Sequence, residues 1–273
     1  MTGWDRDYLE YERDYLDLFH STMQKEQERN IEFLEKSLKE LLGRKFAVAC
    51  SSGTDALMFA LISLNLKSDD EVLVTNFSWI SSASCVSLAG ATPVFCDVDL
   101  DTYHMYWESV EVMISDKTKA IVYPHLFGSM SDTTILRDIC KDKGIVFIED
   151  AAQALGSKYK GKYAGTFGLA STISLYPAKI LGCFGDGGLI LTNNKKLFSK
   201  LHKIRSHGIN EKTKKIDHWG FNSRLDNLQA AFLSFFFKKH NENINRRRNL
   251  AKIYHKELSG LKTIKLPPAC ENK

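Results

Sequence analysis

The 273-residue sequence lacks most of the signals that place a chain in a specialised class. Its six cysteines, Cys50, Cys85, Cys96, Cys140, Cys183 and Cys270, form no C-x-x-C pair. That absence excludes the common zinc and thiol-redox patterns, no metal site is expected, and most of the thiols read as small core residues. No apolar stretch approaches the roughly 20 residues that a membrane-crossing helix needs. Acids stand at the amino terminus, where a secretory signal requires positive charge and then an apolar run. The expectation is a soluble, cytoplasmic protein with no membrane association. An excess of one charge is missing too: 37 basic residues against 33 acidic ones leave a formal +4. This bias is too small to make nucleic acid the principal partner, and a small molecule fits better. Internal repeats and low-complexity linkers are absent.

What is present is a globular composition, 44% hydrophobic and 26% charged, in a chain long enough to bury a substantial core. The first 45 residues are charged and helically spaced, with Ile31, Leu34, Leu38 and Leu41 on one face and Gly43 as the stop. Short β-branched runs then alternate with helical stretches: Phe46–Cys50, Glu71–Thr75, Thr92–Cys96, Lys119–Tyr123 and Ile145–Glu149, with further strands at Thr172–Leu175 and Gly188–Thr192. Continuous apolar strands at this spacing predict an α/β fold, a mainly parallel sheet covered by helices on both faces. From Leu225 one long helix is expected to run toward Leu258, with Arg246, Arg247 and Arg248 on a solvated face. The division expected is a helical lead-in over 1–45, an α/β domain over 46–240 and a helical continuation over 241–273.

Three places carry chemistry. Ser51-Ser-Gly-Thr-Asp55 is a strand-to-helix turn of small residues, where backbone N–H groups can hold an anion. Thr54 or Asp55 would equally serve as an ordinary N-cap. The Walker lysine and the G-x-G-x-x-G spacing are both missing, so a single phosphate suits the turn better than a nucleoside triphosphate or a dinucleotide. Asp150 follows the apolar run Ile145–Glu149, at a strand's carboxyl end, where open α/β sheets place ligands. Because side chains alternate, only one of Glu149 and Asp150 faces that crevice; Glu149 is assigned a surface or salt-bridged position, and Asp150 either the crevice or a helix N-cap. Lys179 precedes four glycines, Gly182, Gly185, Gly187 and Gly188, which let backbone pass close to a ligand, while Pro177 stiffens the approach. A lysine amine held over a site, with an acid near by, meets the needs of pyridoxal phosphate: a Schiff-base partner and an acid for the ring nitrogen.

Six ordered motifs, Ser51–Leu57, Gly90-Ala-Thr-Pro-Val94, Glu149-Asp-Ala-Ala-Gln153, Ser174-Leu-Tyr-Pro-Ala-Lys179, Gly185-Asp-Gly-Gly188 and Gly220-Phe-Asn-Ser-Arg-Leu-Asp226, together resemble the DegT/DnrJ/EryC1/StrS sugar aminotransferases. The resemblance runs from about Phe46 to near Leu258. It implies the fold-type I architecture, with 46–240 as the large domain that binds pyridoxal 5'-phosphate. By position, Lys179 would carry the cofactor and move protons, and Asp150 would pair with its ring nitrogen. Gln153 would contact the phenolic oxygen, and Trp79 would stack on the ring. Gly53, Thr54 and Ser174 would cradle the phosphate, with Asp55 in the same cofactor-binding turn. Asn222 would reach across a homodimer interface to the neighbour's phosphate, so that active sites are shared.

The implied reaction moves an amino group from glutamate to a nucleotide-linked keto-sugar, in amino-sugar biosynthesis for surface polysaccharide or glycoconjugate. Leu181–Gly188 and Gly53–Leu57 look closer to members acting at sugar C3 than at C4. His125, His207 and Arg224 are candidates for the substrate side. Lys179 argues against the family's dehydratases, which resemble this fold but carry histidine there. A dehydrating or amine-forming synthase keeps the lysine and stays open, as does a non-catalytic partner subunit. Three departures from the family pattern stand out: the segment before Ile31 lacks the usual glycine-containing stretch, and Leu175 and Ala178 replace Phe and Thr. Relatives continue into a small carboxyl-terminal domain that closes over the substrate, and by that comparison this chain looks truncated, a cofactor domain lacking most of its lid.

Overall fold

The computed structural model describes residues 29–210 and 212–267. The lead-in before Arg29 and the end from Pro268, with Cys270, lie outside the described residues. Helix α1 (Arg29–Leu41) ends before Gly43, whose φ of +64° gives the left-handed turn expected of a helix stop. After it come β1 (Phe46–Cys50), α2 (Gly53–Ile62), β2 (Glu71–Thr75), α3 (Ser81–Leu88), β3 (Thr92–Cys96), α4 (Trp107–Met113), β4 (Thr118–Pro124), α5 (Thr134–Lys143) and β5 (Val146–Asp150). A small hairpin, β6 (Lys158–Tyr159) with β7 (Lys162–Tyr163), precedes β8 (Ala170–Ser174), β9 (Gly188–Thr192), α6 (Lys195–Ile204), α7 (Asn227–Phe237) and α8 (His240–Leu258).

Seven strands form one sheet in the order β1-β9-β8-β5-β4-β2-β3. All neighbours are parallel except β9, which runs antiparallel to both β1 and β8. The seven sequence-predicted strands are all present. Those at β4, β5 and β8 begin or end one or two residues from the expected positions.

Alternation along the strands fills both faces. Val48, Val72, Val74, Val122, Ile148 and Ile190 pack on one side with Leu57, Phe59 and Leu61 of α2. On the other side Ala47, Ala49, Ile173, Leu189 and Leu191 meet Leu34 and Leu38 of α1 and Leu233 of α7. Each fully buried leucine or isoleucine contributes about 1.5–3 kcal/mol, so the sheet is held by both helix layers. Cys50, Cys85, Cys96, Cys140 and Cys183 are free and buried, and burial pushes the first four thiols up to about 12.

The expected single helix from Leu225 is two helices. The last turn of α7 tightens, with Lys238 and Lys239 N–H donating to the Phe235 and Phe236 carbonyls, three residues back. The chain then turns into α8, whose first residue, His240, is buried and stacks on Phe237 with ring centres 5.7 Å apart. The apolar α7 packs on α1, whereas α8 is polar and keeps Arg246, Arg247 and Arg248 in solvent. No described helix is long and apolar enough to cross a membrane.

Candidate active site

The carboxyl ends of β1, β5 and β8 open on one edge of the sheet, and Gly53, Asp150, Ser174 and Lys179 lie at or just beyond them. Lys179 lies on the connection from β8 to β9. Its N–H donates to the Tyr176 carbonyl at 2.9 Å, closing a tight turn through Pro177. Leu175 N–H to the Gly187 carbonyl, 2.8 Å, and Cys183 N–H to the Leu175 carbonyl, 2.9 Å, fasten the rest of the loop. The lysine is half-buried. Burial lowers its amine from the ordinary value, and the charge of Asp150 opposes that shift.

Two of the glycines around it make close backbone approaches within the protein. A Cβ on Gly182 would stand 2.6 Å from the Pro177 carbonyl oxygen, and one on Gly188 would overlap the Ser52 carbonyl. They let the loop fold onto itself and onto the β1–α2 turn, which fixes the backbone that carries the lysine.

Asp150 ends β5, facing the crevice. Its Oδ1 accepts the Ala152 N–H at 3.1 Å and its Oδ2 accepts the Ser82 hydroxyl at 3.2 Å. Burial pushes its carboxyl up, while Ala152, Ser82, Lys179 and His125 hold it down, and the net direction is upward. No helix follows it over 151–154, so the N-cap alternative falls. Glu149 points to the opposite face and is fully buried rather than at the surface. It accepts N–H groups from Gly165 (2.8 Å), Phe167 (2.7 Å) and Gly168 (2.7 Å), contacts His125 Nε2 at 2.9 Å, and lies 3.8 Å from Arg44.

At the β1–α2 turn the helix cap is Ser52, not Thr54 or Asp55: its hydroxyl accepts the Asp55 N–H at 3.0 Å. The Ser52 carbonyl takes the Ala56 N–H, so the N–H groups of Gly53 and Thr54 are the helix-end donors aimed outward. Gly53 abuts Ser174 so closely that a Cβ would stand 2.7 Å from the Ser174 Cβ, bringing turn and strand end together as two walls of one cradle. Asp55 is held by protein hydroxyls. Its carboxylate is taken by the hydroxyls of Ser51, 2.6 Å, and Ser223, 2.7 Å, and a carboxylate there would repel rather than bind a phosphate.

Trp79 is 72% exposed, so core packing is not its role. Gln153 accepts the Phe127 N–H on Oε1 at 2.6 Å, which leaves its amide hydrogens as donors. Asn222 is exposed, and its Oδ1 accepts from Arg224 at 2.9 Å. His125 leaves the list of substrate-side candidates: it is 1% exposed, bound to Glu149, and set edge-on to Tyr123. His207 and Arg224 are exposed. Among the described residues no group of three His, Cys, Asp or Glu side chains converges on a point. Ser81, Ser82 and Ser223 carry no expected role: Ser81 and Ser82 open α3 in a serine-rich stretch where no one serine stands out, and Ser223 lies inside the Gly220–Asp226 motif with nothing in the sequence to set it apart; Ser81 reaches Thr54 at 2.9 Å.

These residues fit a phosphorylated pyridine aldehyde: a cradle of N–H groups and hydroxyls, a half-buried lysine, and an acid facing it. The sequence pattern of the DegT/DnrJ/EryC1/StrS aminotransferase family matches residues 11–273. The chain is 42% identical over 222 residues to the "Pleiotropic regulatory protein" of Geobacillus stearothermophilus, a match covering 81% of this chain and 59% of that protein. It is 40% identical to the UDP-N-acetyl-3-dehydro-alpha-D-glucosamine 3-aminotransferase of Acidithiobacillus ferrooxidans, covering 86% of this chain and 63% of that one. The crystal structure of NtdA from Bacillus subtilis with bound cofactor PMP superimposes with a TM-score of 0.86 at 33% identity, covering 96% of this chain and 60% of NtdA. The chain thus spans about three fifths of the length of these relatives. It belongs to the DegT/DnrJ/EryC1/StrS aminotransferase family.

Proposed function

We propose that the chain binds pyridoxal 5'-phosphate and transfers an amino group from glutamate to a nucleotide-linked keto-sugar, in the cytoplasm and as a homodimer. The observation that carries the reading is the placement of half-buried Lys179, on the connection that follows β8, beside Asp150 at the end of the neighbouring strand β5. When bound, the cofactor supplies an electron sink for the amino-bearing carbon. Lys179 would hold the cofactor through its Nζ, and the same amine is the group that would carry a proton to and from the substrate carbon. Asp150 keeps the ring nitrogen protonated by offering it a carboxylate. The N–H groups of Gly53 and Thr54 and the Ser174 hydroxyl hold the phosphate, Trp79 covers the ring, and the Gln153 amide donates to the phenolic oxygen. Asn222 reaches the phosphate of a second copy. Over the full cycle glutamate becomes 2-oxoglutarate and the sugar ketone becomes an amine.

Incubation with pyridoxal 5'-phosphate followed by borohydride should fix one cofactor on Lys179, read by mass spectrometry; a chain left unmodified at Lys179 overturns the cofactor assignment. Nucleotide-linked 3-keto-sugars, offered with glutamate, are the first substrates to test, because the Acidithiobacillus relative is named as a 3-aminotransferase. Sedimentation checks the dimer.

A further inference from the structure

We infer that Ser82 is a positioning residue for Asp150: a chain of hydroxyls, Ser78 to Ser82 to Asp150, orients the carboxylate so that its remaining lone pairs face the cofactor's ring nitrogen. The inference rests on the cofactor reading above.

The two neighbouring acids differ in their coordination. Glu149 has its oxygens filled by three backbone N–H groups and two side chains. Asp150 has one donor on each oxygen, Ala152 N–H and Ser82 Oγ. A carboxylate accepts about four hydrogen bonds, so Asp150 keeps capacity for the crevice. The two donors fix the plane in which that capacity lies.

Ser82 is 1% exposed, so it exchanges its bond to Asp150 for no ready water. A serine hydroxyl has a single proton. If Ser82 spends it on the ionised Asp150, the 2.9 Å contact with Ser78 must run from Ser78 to Ser82. The chain therefore has one polarity while Asp150 is ionised, and hydrogen bonds in such a chain strengthen one another. The 3.2 Å Ser82–Asp150 contact is the longer of the two.

Ser78 lies just before α3 and Ser82 is its second residue, and consecutive residues at this helix start divide the task. Ser81 reaches Thr54 in the phosphate turn, while Ser82 reaches Asp150 at the end of β5. One helix start thus ties the phosphate end of the site to its ring end.

Equilibrium dialysis with pyridoxamine phosphate and with its 1-deaza analogue, in which carbon replaces the ring nitrogen, tests the inference on the full chain. Ser82→Ala should weaken pyridoxamine phosphate roughly tenfold, the size of a hydrogen bond to a charged group, and leave the deaza analogue unchanged. Ser82→Thr, which keeps the hydroxyl, should restore the affinity. Equal weakening of both ligands, or of neither, overturns the positioning role. A wild-type chain that holds both ligands equally removes the role of Asp150, and one that holds neither overturns the cofactor reading itself.

Discussion

Gln153 Oε1 accepts the N–H of Phe127 at 2.6 Å, and Phe127 holds a left-handed backbone with φ +58°. The glutamine thereby secures a strained loop and keeps its amide hydrogens as donors. Gln153→Glu keeps the acceptor for Phe127 but loses the donor and adds negative charge where the phenolic oxygen would lie. Affinity for pyridoxal 5'-phosphate should fall about tenfold, with stability changed by less than about 1 kcal/mol. Dialysis and thermal melting separate the two effects, and unchanged affinity would exclude a contact between Gln153 and the cofactor.

Lys179 should react with aldehydes at lower pH than an ordinary lysine. Burial lowers its amine, so the neutral, nucleophilic form accumulates as pH rises through a value below the usual 10.4. The charge on Asp150 opposes this shift, so Asp150→Asn should move the midpoint lower still, while severely reducing any transamination. The rate of borohydride-trapped cofactor attachment against pH measures the midpoint. An identical profile in the variant would show that the two groups do not interact.

Glu149→Ala should destabilise the fold by about 3–5 kcal/mol, the usual cost of stranding the partners of a buried charge, here Arg44 and three backbone N–H groups. Burial pushes the Glu149 carboxyl up, but His125 and the Gly168 and Gly165 N–H groups outweigh it and leave it below its ordinary value. A carboxyl depressed in the folded state stabilises fully above its unfolded value of about 4.3, and that contribution is lost as pH falls through the folded value. Urea titrations from pH 7 down to pH 3 should show the loss in the wild type and a flatter dependence in the variant.

Gly53→Ala places a Cβ against the Ser174 side chain and backbone. Relief requires α2 to shift away from β8, at about 1–3 kcal/mol of overpacking. Pyridoxamine phosphate should bind more than tenfold more weakly, because the N–H groups move with the helix. Dialysis against this ligand decides it, and wild-type affinity would place the phosphate elsewhere.

The strands and the orientation of Asp150 were legible in the sequence because both depend on periodicity: apolar runs mark doubly covered strands, and alternation sends Glu149 and Asp150 to opposite faces. The cage around Glu149 was not, since Arg44, His125 and the N–H groups of Gly165 to Gly168 reach it from other parts of the fold. The hydroxyl partners of Asp55 were hidden for the same reason. Its partner Ser223 stands 168 positions away, and nothing local distinguishes a carboxylate that caps a helix from one that binds hydroxyls. The break before His240 was hidden because Phe235–Lys239 contains no glycine or proline, and packing of α7 on α1 decides where the helix turns.

Gly188 lies opposite both Cys50 and Ser174 in the strand register. The two walls of the phosphate cradle therefore meet through β9, and β1 reaches β9 only after nearly the whole sheet lies between them in the chain. Lys45 and Asn193, which share a hydrogen bond at this seam, are 148 positions apart. Contacts of such separation form late, because the loop-closure entropy must be overcome first. A partly folded chain can assemble β2 to β5, with Asp150 at their end, before it owns an anion site. Cofactor capture would then report completed folding, and added cofactor should protect the β1–β9 seam from hydrogen exchange more than the β2–β4 pair.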